Sequence, residues 1–211
     1  MIQLFYHPIS VPSLYPLFVA SAAGLEAERV MVDLQKQENK GEAYRKVNPF
    51  GRVPAMVDGG LAMGESSAIG RYLARLSGSD IYSEDLVEAA LIDQWVEFIV
   101  HHLRINVSRL LFNRFVAPLT GAEVDPASEA LGARLLAENL PHVEVALDGD
   151  GFLHGDRLTL ADIALVSAME PQTVAKLDLD DFPVLSAWLE TKRKASWYQA
   201  VHTHYGAEMG L

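Results

Sequence analysis

Residues 2–34 read IQLFYHPISVPSLYPLFVASAAGLEAERVMVDL, and the class of the fold follows from the changes of period within them. Ile2–Tyr6 is a short apolar run stopped by His7-Pro8, the pattern of a buried strand. Leu14, Leu17, Phe18, Ser21 and Ala22 then fall on one face at helical spacing, and Gly24 closes the segment. Ser13 is the expected N-cap, because Pro16 would then stand at the third helical position, where its missing N–H breaks no intrahelical bond. Ser10 is thereby left in the loop just ahead of a helix N-terminus. Residues 28–34 (ERVMVDL) restore a strand pattern, so the chain opens strand, helix, strand. Such a crossover joins two parallel strands and is the unit of an α/β sheet.

Gln35–Lys46 is polar, with a short helix expected around Gly41–Lys46. Asn48-Pro49-Phe50-Gly51-Arg52 is turn chemistry, and Val53–Asp58 is a strand that begins at a proline. Asp58-Gly59-Gly60 makes a hairpin turn to a short strand at Leu61–Met63. Ile69, Tyr72, Leu73 and Leu76 return to helical spacing after Glu65-Ser66-Ser67, and Gly78 ends that helix. Beyond the polar linker Ser77–Glu84 strand signals vanish. A long helix is expected over 86–115, a loop over 117–128 and a second helix over 129–147 with a kink at Pro141. Thr159 and Asp162 have the spacing of a capping box, and Pro183–Lys194 and Trp197–His202 supply two more helices. The expected architecture is an α/β domain over 1–77 followed by an all-α domain over 86–211.

Composition narrows the chemistry. The 211 residues carry 28 acidic against 17 basic side chains, a formal charge of -11, which argues against a nucleic-acid backbone or an anionic membrane as partner. A hydrophobic fraction of 50% is too high for a disordered acidic chain. The absence of cysteine excludes disulfides, thiolate metal sites and thiol nucleophiles, so any sulfur chemistry must come from a ligand. His101 and His102, adjacent on a helix, point about 100° apart, and no metal is expected. No basic residue precedes the apolar run near the N-terminus, and Pro8, Pro12 and Pro16 interrupt it, so a cytoplasmic protein is expected rather than a secreted one.

Four stretches carry a resemblance: Tyr6-His7-Pro8-Ile9-Ser10-Val11-Pro12, Asn48 to Pro54, Glu65-Ser66-Ser67-Ala68-Ile69 with Tyr72-Leu73, and Gly155 to Asp162. In this order and at these separations they resemble the cytosolic glutathione transferase superfamily, in a bacterial-like form with a serine-type active site. The likeness covers essentially the whole chain. It implies a thioredoxin-like N-terminal domain on a helical C-terminal domain, and a homodimer, for which Leu76, Leu86, Leu91 and Ile92 are the apolar positions in excess of one core. It also implies glutathione as substrate, conjugated to a hydrophobic electrophile. Isomerisation, dehalogenation or non-catalytic binding of glutathione are the alternatives.

The resemblance assigns residues as well. Val53-Pro54 matches a cis peptide whose Val N–H and C=O pair with the cysteinyl unit as an added strand would. Glu65 and Ser66 take the ammonium and carboxylate of the γ-glutamyl end at a helix N-terminus. Arg52, Lys40 and Gln37 are candidates for the glycyl carboxylate. Three groups compete for the sulfur. Ser10 matches the serine that certain classes aim at the thiolate, Tyr6 matches the tyrosine that others place at the end of the first strand, and Arg104 could supply positive charge. Pro12 stands where a class common in bacteria has a cysteine, a departure that removes thiol-dependent reduction.

Overall fold

Ile2–Tyr6 forms β1, an inner strand of a four-stranded sheet of order β2-β1-β3-β4. These are elements of a computed structural model that describes residues 1–149 and 151–211. Strand β2 (Ala27–Met31) runs parallel to β1, with Ile2 opposite Ala27, after a crossover segment containing α1 (Val11–Ala22). Strands β3 (Ala55–Asp58) and β4 (Leu61–Gly64) form an antiparallel hairpin on the other side of β1, after the short helix α2 (Glu42–Val47) and before α3 (Ser66–Ser77). Ile2, Leu4 and Tyr6 alternate into the buried face, as period 2 requires. Helices α1 and α3 pack against each other, and they approach so closely that a Cβ on Gly70 would overlap the Tyr15 ring.

Three local boundaries differ from the sequence reading. Helix α1 begins at Val11 with Ser10, not Ser13, as its N-cap, and Ser13 N–H donates to the Ser10 carbonyl at 2.8 Å. Pro12 sits comfortably in the first turn, where its fixed φ suits the helix, and Pro16 falls inside it. Ser13 Oγ is consequently buried without a partner among the described residues. Strand β2 stops at Met31 because the Asp33 carboxylate accepts from Gln35 and Lys36 N–H at 3.0 and 2.9 Å, folding that stretch into a turn. Strand β3 starts at Ala55, after the cis Val53-Pro54 bond.

The chain divides into one unit of Met1–Tyr82 with Ser196–Leu211 and another of Ser83–Ala195. The closing segment therefore does not belong with the helices over 86–195, as a boundary of 86–211 would have it. Its aromatic residues complete the first core: Tyr198, fully buried, stacks on Phe18 at 5.1 Å, and Trp197 and His202 meet the same ring edge-on. Arg29 adds two hydrogen bonds, to the carbonyls of Val201 and Ala200 at 2.9 and 2.8 Å.

The second unit opens on α4 (Leu86–Phe98), capped by Asp85, which accepts from Val87 and Glu88 N–H. Helical structure then continues through a π-helical turn at Ile99–Arg104, α5 (Ile105–Leu111), a second π-helical turn at Phe112–Val116 and α6 (Ala117–Thr120). The loop expected from 117 thus starts only at Gly121. Pro118 falls just past a π-helical turn, where the i→i−4 ladder is already interrupted, so it ends nothing. Asp125 starts α7 (Pro126–Leu147) by accepting from Ser128 N–H, earlier than the expected 129. Helix α8 (Leu160–Met169) is buried along its length and opens on the Thr159–Asp162 capping box, and α9 spans Pro183–Arg193. No described helix is long and apolar enough to cross a membrane.

Candidate active site

The sheet register gathers three chain segments at one end. Phe5 lies opposite Ala55, and Ala55 lies opposite Gly64. One step further along each strand come the turn after β1, which leads to Ser10, the Val53-Pro54 bond before β3, and Glu65-Ser66 after β4.

Ser10 is held from both sides. Its N–H donates to the His7 carbonyl at 2.9 Å, its own carbonyl accepts from Ser13, and its backbone is extended at φ -85, ψ 101. The half-buried hydroxyl makes no capping bond, so the polar tip at the positive end of α1 is not consumed by the helix itself. Tyr6 points elsewhere. Its phenol donates to Glu208 at 2.6 Å, and burial, reinforced by that bond and the carboxylate charge, pushes its pKa up to about 12.

The Val53-Pro54 bond is cis, and the turn before it is fixed through its inner carbonyls. Asn39 Nδ2 and Lys40 Nζ both donate to Gly51 O, at 2.8 and 2.9 Å. Tyr44 Oη and Asn48 Nδ2 donate to Arg52 O, at 2.8 and 2.7 Å. Gly51 is required there: its φ is +59, and a Cβ would stand 2.9 Å from the Asn39 carbonyl. By contrast, the N–H and C=O of half-buried Val53 have no hydrogen-bond partner among the described residues. A strand-like pair of donor and acceptor left open is a docking edge for an extended peptide.

Glu65 is the N-cap residue of α3 and has φ 66, ψ 111, a conformation that non-glycine residues seldom adopt. Its carboxylate is exposed and makes no cap bond, while Ser66, the first residue of the helix, is buried. The first turn of α3 contains no acidic residue, so its N-terminal dipole is left for an outside anion.

Of the remaining candidates, Lys40 reaches the turn that carries Arg52. Lys40 is exposed and spends one donor on Gly51; Arg52 and Gln37 are exposed, Gln37 in a left-handed conformation at φ 57. Arg104 is half-buried in the π-helical turn Ile99–Arg104 of the second unit. Among the described residues no group of three or more His, Asp or Glu could hold a metal ion. The sequence reading missed Glu208 and Tyr205. The C-terminal segment buries Tyr205, which donates its hydroxyl to the Ile9 carbonyl at 2.6 Å. Neither partner lies at a spacing that a local pattern can reveal.

Comparison with known proteins identifies the family. Residues 2–75 match the family model for the glutathione S-transferase N-terminal domain, and residues 111–193 match that for the C-terminal domain. Glutathione S-transferase 3 of Zea mays is 36% identical over 181 residues, covering 81% of each chain. Glutathione S-transferase F10 of Arabidopsis thaliana is 30% identical over 204 residues, 93% of this chain and 95% of the relative. Among solved structures, glutathione S-transferase I from maize, in complex with an atrazine glutathione conjugate, superposes with a TM-score of 0.86 at 28% identity over 95% of both chains. These relatives are plant proteins, and they lend no support to the bacterial leaning of the sequence reading. With both domain models matched and the identity extending over most of each relative, the chain belongs to the glutathione S-transferase family.

Proposed function

We propose that the chain binds glutathione at the end of its sheet and transfers the thiolate to a hydrophobic electrophile. The observation that carries this reading is the register that sets the open main-chain pair of Val53 beside Glu65-Ser66 and the Ser10 turn. Val53 receives the cysteinyl unit as an added antiparallel strand. The N-terminus of α3 with Ser66 accepts the γ-glutamyl carboxylate, and Glu65 accepts from the ammonium. Lys40, with donors left after its bond to Gly51, and Arg52 face the glycyl carboxylate, with Gln37 as a weaker donor.

Ser10 then donates to the sulfur and stabilises the thiolate, the form that attacks an electrophile. The assistance is electrostatic and needs neither a base nor a metal. Commitment of the Tyr6 phenol to Glu208 favours Ser10 over Tyr6 for this task. Conjugation is preferred to isomerisation, dehalogenation or simple binding because the maize relative is seen with a glutathione conjugate. The protein acts as a cytoplasmic homodimer, with no nucleic-acid or membrane partner.

Calorimetric titration with glutathione tests the binding mode. A charge-assisted hydrogen bond contributes about 1.5–3 kcal/mol, so Glu65→Ala should weaken binding roughly 10- to 150-fold, with turnover at saturation changing much less. Unchanged affinity would mean that the γ-glutamyl end is held elsewhere.

A further inference from the structure

The segment Ser196–Leu211 reaches the Ser10 turn directly. Its base is fixed on the first unit by the Tyr198 ring stacked on Phe18 and by the Arg29 bonds to the Ala200 and Val201 carbonyls. Its far part is tied down by Glu208, which accepts from Tyr6. Between these anchors Tyr205, only 5% exposed, donates to the Ile9 carbonyl at 2.6 Å.

That carbonyl belongs to the same peptide plane as the Ser10 N–H, which donates to His7 O at 2.9 Å. The plane entering Ser10 is therefore pinned at both of its polar ends. The Ser10 carbonyl is pinned in turn by Ser13 N–H. With the backbone fixed on both sides, the placement of the hydroxyl reduces to one rotatable bond, and the direction from which that bond starts is set by the Ile9–Ser10 plane. Loss of the Tyr205 bond would release one end of the plane and let the Cα–Cβ vector of Ser10 swing, without removing any group that touches a ligand.

We infer that Tyr205 is a positioning residue, whose bond to the Ile9 carbonyl aims the Ser10 hydroxyl at the glutathione sulfur. This rests on the assignment of Ser10 to the thiolate. The role is distinct from support of the fold, because the ring of Tyr205 supplies the packing and the hydroxyl alone supplies the aim. A geometric contribution of this kind weakens as the hydroxyl wanders, and it vanishes when there is no hydroxyl to aim.

The test uses the full chain as wild type, Tyr205→Phe, Ser10→Ala and the double variant. The quantities read are the pKa of bound glutathione, from thiolate absorbance against pH, and the steady-state constants. The isosteric Tyr205→Phe should raise the bound-thiol pKa by about 0.5–1 unit and lower kcat near neutral pH roughly 3- to 10-fold, with the KM for glutathione within about twofold. Ser10→Ala should raise that pKa further, toward the free-thiol value of about 8.5, and adding Tyr205→Phe should then change nothing more. An unchanged thiol pKa in Tyr205→Phe, with only a lower melting temperature, would reduce Tyr205 to a structural residue and overturn the inference. The same shift in the Ser10→Ala background would overturn it too, because the effect would not pass through Ser10. If Ser10→Ala alone leaves the thiol pKa where it is, the serine assignment fails first, visibly in that single variant, and the positioning role falls with it.

Discussion

His7 supports the turn ahead of Ser10 through its neutral ring. Nδ1 accepts from Ile9 N–H at 3.3 Å, which places the ring proton on Nε2, and protonation of Nδ1 would turn that contact into a clash of donors. Burial lowers the pKa of His7 below its ordinary 6.5, against the opposing pull of Asp33. A folded-state value below the unfolded one means that the unfolded chain takes up the proton first, so stability is complete above about pH 6.5 and falls as pH drops through the window beneath it. Urea unfolding of wild type and His7→Gln at pH 7 and 5.5 should show a smaller acid loss in the variant; equal losses would remove His7 from that dependence. The motifs made the cis Val53-Pro54 bond legible and singled out Ser10 and Glu65 as candidates, since each is defined by its neighbours in sequence. The commitment of Tyr6 was not legible, because its partner Glu208 lies 202 residues away. The main-chain pair of Val53 was expected from the motif alone, whereas the side chains that fix the turn before it, Asn39, Lys40, Tyr44 and Asn48, were not, because each reaches it from outside the motif or across the turn.

Among the elements, helix starts were legible where a capping side chain spells them out. Asp162 is fully buried and accepts from Thr159 N–H at 2.8 Å, from the Thr159 hydroxyl at 2.9 Å and from Leu153 N–H at 2.9 Å. Asp162→Ala would leave two backbone donors unpaired in the interior of the second unit, at about 1–3 kcal/mol for each. Denaturant unfolding should register a loss of roughly 2–5 kcal/mol, while the folded variant keeps its affinity for glutathione. A loss under about 1 kcal/mol would mean that water or a rearranged loop satisfies those donors. Where prolines gave conflicting signals the reading was poorer. Pro16 points to an N-cap at Ser13, whereas Pro12 fits the first turn of a helix that starts at Val11. The helical run to Thr120 passes Pro118 by way of a π-helical turn, which no periodicity of 3.6 residues announces.

For the whole molecule, the order of strands and helices gave away the two-part architecture, but not the return of Ser196–Leu211 to the first unit. A helical pattern shows that one face is buried without saying in which core. The same ambiguity affects the surface. Leu86 and Val87 are 85% and 69% exposed, and Leu91 is also exposed, which leaves apolar area on the second unit for another copy; Leu76 is exposed on the first unit, and Ile92, by contrast, is fully buried and drops out of that set. Light scattering should return about twice the 23.2 kDa chain, and a monomer at micromolar concentration would contradict the homodimer.

If the Ser10 hydroxyl holds glutathione as a thiolate, the ionisation of the bound thiol must show it. The most direct measurement is the pH titration of thiolate absorbance in the glutathione complexes of wild type, Ser10→Ala and Tyr6→Phe. The wild-type midpoint should lie at least about one unit below the free-thiol value of about 8.5, move back toward that value in Ser10→Ala, and stay at the wild-type position in Tyr6→Phe. A wild-type midpoint at the free-thiol value, or a midpoint that shifts in Tyr6→Phe and stays put in Ser10→Ala, would contradict the Ser10 assignment.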